Sequence, residues 1–476
     1  MRLAQIVVTV VLSFSLLAAP TDPRVLKSIE TLMDSMVAQG MFTGNLLIAK
    51  NGRVELDKSY GLANIQWKQP NVSQSTFLAG SLTKVLTSML VLKLAQDGKI
   101  DLDQNVSDYL PYYRQDTGKL IKISQLLDHS SGLPNYTDLP DFAHRISRIK
   151  LPTKEFVLEY CQPDLRTPPG TTFYYSNTGY FLLGAIVEAV TGQRYDDALR
   201  TMVLTPLGLS NTGYGWNHLI LERFASGYQV QGCQNGVAPF AEMSVPFSAG
   251  ALYTTVGDLN KMNDGIDDHV VLNKVYTALM FKRHIVEVPV YPPLFMSGLY
   301  SGYGWDVGAL SIPGTEKGKT IDVAMKSGVI NGYNNYLTRT DDYIVAMLSN
   351  SAEAYSSVIN IAITQMLYGA PAAQVAPSLT PSNVLQNTIC QSGLPAALAQ
   401  LKTNPPSSPL TISAVGNSFI GTGMESNVTN AQIDTALALF NVNAATFPTV
   451  PLVYQDLIAG YGLKEANLPM SLEGQQ

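Results

Sequence analysis

Ser81-Leu82-Thr83-Lys84 sets a hydroxyl and an amine three residues apart at the start of a long apolar stretch. Residues i and i+3 share one face of a helix, so the two groups can touch. Apolar surroundings disfavour the charged amine, and a neutral amine can take the proton of a serine hydroxyl. A helix N-terminus also favours negative charge developing beside it. The pairing describes an activated nucleophile, although the spacing alone does not select it. Ser147-Arg148-Ile149-Lys150 repeats the pattern beside Arg145, in a polar context that reads as a solvated surface.

Two more elements lie downstream. Tyr175-Ser176-Asn177 offers a phenol and an amide on a loop after Pro168-Pro169-Gly170, and Lys326-Ser327-Gly328 opens what reads as an edge strand. Tyr-x-Asn recurs at Tyr333-Asn334-Asn335, whereas Lys-[Ser/Thr]-Gly occurs once. Each residue has a plainer alternative: Ser81 as a helix N-cap, Tyr175 as a core tyrosine, Lys326 as a structural or surface lysine. His129 would suit a Ser-His-Asp arrangement, but no Gly-x-Ser-x-Gly elbow accompanies it.

The elements that must position these groups show in the periodicity. Val25 to Gln39 carries apolar residues at helical spacing. Leu46-Leu47-Ile48-Ala49 and Val54-Glu55-Leu56 flank Asn51-Gly52, a pair suited to the positive φ of a tight hairpin turn. Ser81 to Gln96 is apolar almost all round, which marks a core helix, and Asp97-Gly98 stops it. Phe181 to Val190 is a further helical stretch. Tyr336-Leu337-Thr338 and Tyr343 to Leu348 flank Asp341-Asp342 as a second hairpin. Strands at both ends with helices between predict an α+β unit, a helical region inserted into one antiparallel sheet.

Arg2 and the mostly apolar run from Leu3 to Ala19 precede all of this. The run is shorter than the about 20 apolar residues of a membrane span and ends in small residues. Residues 1–19 therefore read as a signal peptide, or as an N-terminal membrane anchor if retained, and the protein as exported, periplasmic or secreted. Residues 20–371 form the expected catalytic domain and 372–410, rich in Pro, Ser and Ala, a linker in which Leu394 to Lys402 can form a short helix. In 411–470, Ile433 to Ala445 and Leu452 to Tyr461 read as paired helices. Ala436, Phe440, Phe447-Pro448, Tyr454 and Tyr461 are spaced somewhat like one tetratricopeptide unit. The pair would serve either as a helical cap or as a surface for a partner.

Charged residues make up 14% of the 476, against a usual ~25%, and the net charge is −6. No basic field exists to hold nucleic acid or anionic lipid. Cys161, Cys233 and Cys390 lack metal or redox spacing, allow one disulfide after export, and leave one thiol over. The five histidines lack the His-Glu-x-x-His spacing of a zinc hydrolase, so neither metal nor other cofactor is expected.

Taken in order, the three elements resemble the penicillin-recognising serine hydrolases: class C β-lactamases, D-alanyl-D-alanine carboxypeptidases and related esterases. The resemblance runs from Phe42 to Tyr368 and extends to Leu126-Leu127-Asp128-His129-Ser130-Ser131-Gly132-Leu133-Pro134, to Pro206-Leu207-Gly208-Leu209, to Ser248-Ala249-Gly250-Ala251-Leu252 and to Tyr303-Gly304-Trp305. It implies a β-lactamase/transpeptidase-like fold.

By the same resemblance Ser81 would attack a carbonyl while Lys84 and Tyr175 share the proton transfers, either one as base. Asn177 would orient the network and the substrate amide. Lys326, Ser327 and Gly328 would line the substrate, with the backbone N–H groups of Ser81 and Val329 as oxyanion hole. His129 becomes part of a family loop, and Tyr136 beyond it a residue that can reach the pocket. A lysine in the third motif suits substrates ending in a carboxylate, such as D-Ala-D-Ala peptides or β-lactams. Small esters stay open, as does a non-hydrolysing sensor of cell-wall fragments or penicillins using the same pocket.

Overall fold

The computed structural model describes residues 19–286, 296–315, 319–420 and 428–466. Apart from Ala19, the expected signal peptide lies outside them. Helix α1 (Pro23–Ala38) starts with Pro23 at its first position, where a missing N–H costs nothing, behind an Asp22 cap. Strands β1 (Gly44–Lys50) and β2 (Arg53–Tyr60) form the first hairpin, and Asn51 and Gly52 take the positive φ its turn needs. Helix α2 (Thr83–Gln96) follows a 3-10 turn over Gly80–Leu82. Helix α3 (Asn177–Thr191) is capped by the Ser176 hydroxyl and ended by left-handed Gly192.

A small hairpin, β3 (Tyr228–Gln231) and β4 (Gln234–Val237), precedes the second half of the main sheet. That half comprises β5 (Ile285–Val286), β6 (Met296–Ser301), β7 (Asp306–Ser311), β8 (Thr320–Ile330), β9 (Tyr333–Arg339) and β10 (Tyr343–Ser349). Helix α4 (Ser356–Leu367) follows.

Among the described residues the main sheet has the order β5-β6-β7-β8-β9-β10-β1-β2, antiparallel throughout. The chain's first hairpin thus closes onto its last strand, and everything between β2 and β5 is looped out as the helical insertion. Strand β10 is buried at every position, which is why it reads as an unbroken apolar run: both faces are covered. One face packs Leu46, Ile48, Met325 and Met347 against Met33 of α1 and Ile359 of α4. The other packs Leu47, Ala346 and Leu348 into the core that holds α2 and α3.

Strand β8 is not a simple edge strand, as the sequence suggested. It is flanked by β7 from Thr320 to Met325, and the pairing ends at Asp306–Met325. From Lys326 onward β8 has β9 on one side and no pairing with β7 on the other. The third motif begins where the edge opens.

The expected linker is largely folded. Helices α5 (Pro381–Ser392) and α6 (Leu394–Thr403) fill most of 372–410 and join α7 (Pro409–Ile420), α8 (Asn430–Thr446) and α9 (Pro451–Ala466) around a separate core. Leu385 and Ile389 of α5 and Ala397 and Leu401 of α6 are buried in that core, two per helix, too sparse a stripe to stand out from Pro-rich neighbours. A Cys233–Cys390 disulfide ties α5 to the β3–β4 turn, and Gly232 of that turn donates to Ser418 O at 2.7 Å. Cys161 is the buried free thiol.

Candidate active site

Ser81 sits in the 3-10 turn because α2 is entered without a side-chain cap: Leu82 occupies the cap position. Its hydroxyl is therefore not spent on the helix. Lys84 Nζ lies 3.1 Å from Ser81 Oγ, and the Tyr175 hydroxyl donates to the same oxygen at 2.8 Å. Ser81 is not the cap residue of α2, and Tyr175 is only half-buried. The second Ser-x-x-Lys pair does not assemble. Ser147 is buried, contrary to the sequence reading, and donates to Ala143 O, while Lys150 stands over the Trp216 ring.

Lys84 has no exposed surface, since α2 is buried along nearly its whole length. Burial depresses its pKa well below the ordinary lysine value, Lys326 pushes the same way, and Asp306 opposes. Its other two contacts are Asn177 Oδ1 and Ala249 O, both at 2.8 Å. Both oxygens can only accept. As an ammonium Lys84 donates to all three oxygens; as a neutral amine it can keep two N–H donors on Asn177 and Ala249 and turn its lone pair to Ser81 Oγ.

Asn177 is positioned as the first residue of α3, and Ala249 by the short helical turn Phe247–Gly250. The aromatic walls are Tyr175 and Tyr180, whose ring centroids lie 4.9 and 5.4 Å from Lys84 Nζ. His129, at φ 62°, packs its ring against both tyrosines, at 4.5 and 5.0 Å. Its Nδ1 accepts from the Ser176 amide at 3.2 Å, which places the imidazole proton on Nε2. Burial, with Lys326 and Lys84 nearby, holds its pKa well below the usual histidine value, so it stays neutral. Tyr136 does not reach the pocket. It is buried among Phe142, Phe156 and Phe181 and donates to Val245 O at 2.8 Å.

Lys326 is 2% exposed, its Nζ 5.5 Å from the Tyr175 ring centroid. It donates to Asp306 Oδ1 at 2.8 Å, which rules out the surface-lysine alternative. Gly80 and Gly328 let β8 press onto the Ser81 turn. A Cβ on Gly328 would meet Ala79 O at 2.2 Å, and one on Gly80 the Val329 nitrogen at 2.9 Å. The turn that carries Ser81 thus lies against the backbone of Gly328 and Val329. Ser327 lies half-buried between Lys326 and Gly328, opposite Tyr336.

Sequence reasoning missed Asp306 and the Ala249 carbonyl. Both lie in or next to phrases noted in the sequence, Asp306 directly after Trp305, but neither carries a local signal of what it touches.

Residues 27–366 match the protein family described as Beta-lactamase. The chain belongs to the β-lactamase family. The matched span holds Ser81, Lys84, Tyr175 and Lys326. Among curated β-lactamase relatives, Protein flp of Staphylococcus aureus (strain MRSA252) is 31% identical over 211 residues, 43% of this chain and 42% of that protein. This chain therefore spans less than half the length of that relative. Teichoic acid D-alanine hydrolase of Staphylococcus aureus is 25% identical over 280 residues, 59% of this chain and 66% of that one.

Solved structures carry the same β-lactamase fold. The octameric penicillin-binding protein homologue from Pyrococcus abyssi superposes with a TM-score of 0.64 at 24% identity, covering 76% of this chain and 81% of that one. D-amino acid amidase from Ochrobactrum anthropi SV3 gives 0.60 at 23%, covering 74% and 100%.

Proposed function

We propose that this β-lactamase-family protein is an exported hydrolase that works through an ester on Ser81, and that its substrates are small esters or amides of the D-alanyl type. One observation carries the chemistry: buried Lys84 Nζ, held by Asn177 Oδ1 and Ala249 O, stands 3.1 Å from Ser81 Oγ, where its neutral form can accept the serine proton. Ser81 attacks the carbonyl carbon as its proton passes to Lys84, and the oxyanion gathers between the Ser81 and Val329 amides. Tyr175, already donating to Ser81 Oγ, hands its proton to the leaving alkoxide or amine and recovers one from Lys84. The carbon–leaving-group bond breaks to give the acyl-enzyme. Water then attacks the ester as its proton passes to the Lys84–Tyr175 pair, and when the carbon–Oγ bond breaks that proton goes to Ser81 Oγ, which releases the acid and restores the serine hydroxyl.

The relatives support the substrate class. One is named a teichoic acid D-alanine hydrolase and a structural neighbour a D-amino acid amidase. D-Ala-D-Ala peptides and β-lactams share the same reactive carbonyl and are the next candidates. Export is supported by the apolar N-terminal segment and by the Cys233–Cys390 disulfide, a bond that persists in oxidising compartments.

The test is turnover of a D-alanyl p-nitrophenyl ester, D-alaninamide, a D-Ala-D-Ala peptide and a chromogenic cephalosporin by the wild type and Ser81→Ala. A loss of ~10³ or more in the variant is expected. Undiminished turnover would overturn the proposal. Stable labelling by penicillin with no turnover of any substrate would make the protein a sensor instead.

A further inference from the structure

The carboxylate beside Lys326 bears on which substrates the site accepts. Asp306 is the first residue of β7, and its cross-strand partner is Met325, one residue before Lys326. It therefore stands where the open edge of β8 begins, with Oδ1 2.8 Å from Lys326 Nζ. The two side chains differ in access: that of Lys326 is 3% exposed and that of Asp306 is 23% exposed. A solute coming from solvent meets the carboxylate more readily than the ammonium. The reach of a lone cation is also replaced by the shorter reach of a pair, since opposite charges in contact cancel at a distance.

A substrate carboxylate arriving at this edge would have to share Lys326 with Asp306 and lie beside a like charge. Like-charge juxtaposition is a means by which binding sites reject wrong partners. An amide or ester at that position meets no such conflict, and an ammonium would be attracted.

We propose that Asp306 is a specificity-determining residue, which by pairing with Lys326 turns the site away from acyl donors ending in a carboxylate and toward neutral or cationic ones. The proposal rests on the reading of Ser81 as the nucleophile and narrows its substrate class. It reverses the preference that a third-motif lysine by itself suggests.

The experiment uses N-acetyl-D-Ala-D-Ala and its C-terminal amide as competitive inhibitors of p-nitrophenyl ester hydrolysis by the full-length protein. The ratio of the two inhibition constants is taken within one preparation, so partial misfolding cancels. The wild type should bind the amide more tightly than the acid. Asp306→Asn should move the ratio toward the acid by tenfold or more, and Asp306→Glu should return it toward the wild-type value. Lys326→Met, leaving Asp306 unpaired, should move it further toward the amide.

A wild type that binds the acid as tightly as the amide, or no inhibition by either, overturns the proposal, as does a ratio unchanged in Asp306→Asn. If Asp306→Asn does not fold, the wild-type and Lys326→Met ratios decide it by the same criteria. Absence of ester hydrolysis in the wild type, or its survival in Ser81→Ala, would fail the nucleophile reading instead.

Discussion

Gly80 faces the backbone of Val329 so closely that a Cβ on Gly80 would stand 2.8 Å from the Val329 carbonyl carbon and 2.9 Å from its nitrogen. Gly80 also has φ +54°, a conformation costly for residues with a side chain. Gly80→Ala should push β8 away from the Ser81 turn and widen the gap between the two amides that would hold an oxyanion. The expected outcome is a fall in kcat of about 10²–10³, the usual cost of losing one such donor. Steady-state kinetics on a p-nitrophenyl ester, with circular dichroism to establish folding, checks it. A kcat within threefold of wild type would mean that the space is not an oxyanion site.

How much of this was legible in the sequence depended on the range of each contact. Ser81 and Lys84 lie one helical turn apart, so local spacing and an apolar helix sufficed to pair them. Tyr175 and Lys326 are brought in by distant elements and were placed through motif order. Asp306 was not found, because its meeting with Lys326 depends on where β7 stops along β8, a register that no local pattern encodes. The same holds for Ala249, which acts through a carbonyl that every residue has. Three cysteines allow three pairings, and only the docking of the β3–β4 turn on α5 selects Cys233 with Cys390. The sequence marks α6 only as a short helix over Leu394 to Lys402 within a linker and leaves α5 unmarked, because each gives the core only two buried apolar side chains.

The acid side of the pH profile should belong to Lys84. Burial and Lys326 depress its pKa, so the neutral, proton-accepting form is present above that lowered value and lost as pH falls through it. Asn177→Asp would put a negative charge 2.8 Å from Nζ and stabilise the ammonium. The acid limb of kcat/KM should then move to higher pH, with activity at neutral pH reduced and part of it recovered in alkali. A limb left in place would show that Lys84 is not the group whose deprotonation the rate follows.

His129 offers a contrasting expectation. Its ring is a neutral spacer between Tyr175 and Tyr180, with Nδ1 accepting from the Ser176 amide. His129→Phe keeps the ring but leaves that buried amide without its acceptor, a cost of about 1–3 kcal/mol. Thermal unfolding should register the loss, while the acid limb should stay where it is, because the histidine carries no proton in the reaction. A shift of that limb on His129→Phe would give the imidazole a part in proton transfer.

The disulfide should stabilise without taking part in the chemistry. Cys233 and Cys390 are 157 residues apart in sequence, and cross-links closing long loops typically contribute about 2–4 kcal/mol. The double variant Cys233→Ser, Cys390→Ser should therefore unfold at lower urea, with the C-terminal helices released first because the bond joins them to the β3–β4 turn. Neither sulfur belongs to the Ser81 cluster, so ester turnover per folded molecule should be kept. Thiol counting gives an independent check. Cys161 is fully buried, and burial pushes its thiol pKa well up, so the native protein should react with no thiol reagent. Denaturation should expose one thiol and reduction under denaturing conditions all three. Three reactive thiols before reduction, in protein secreted through an oxidising compartment, would refute the cross-link.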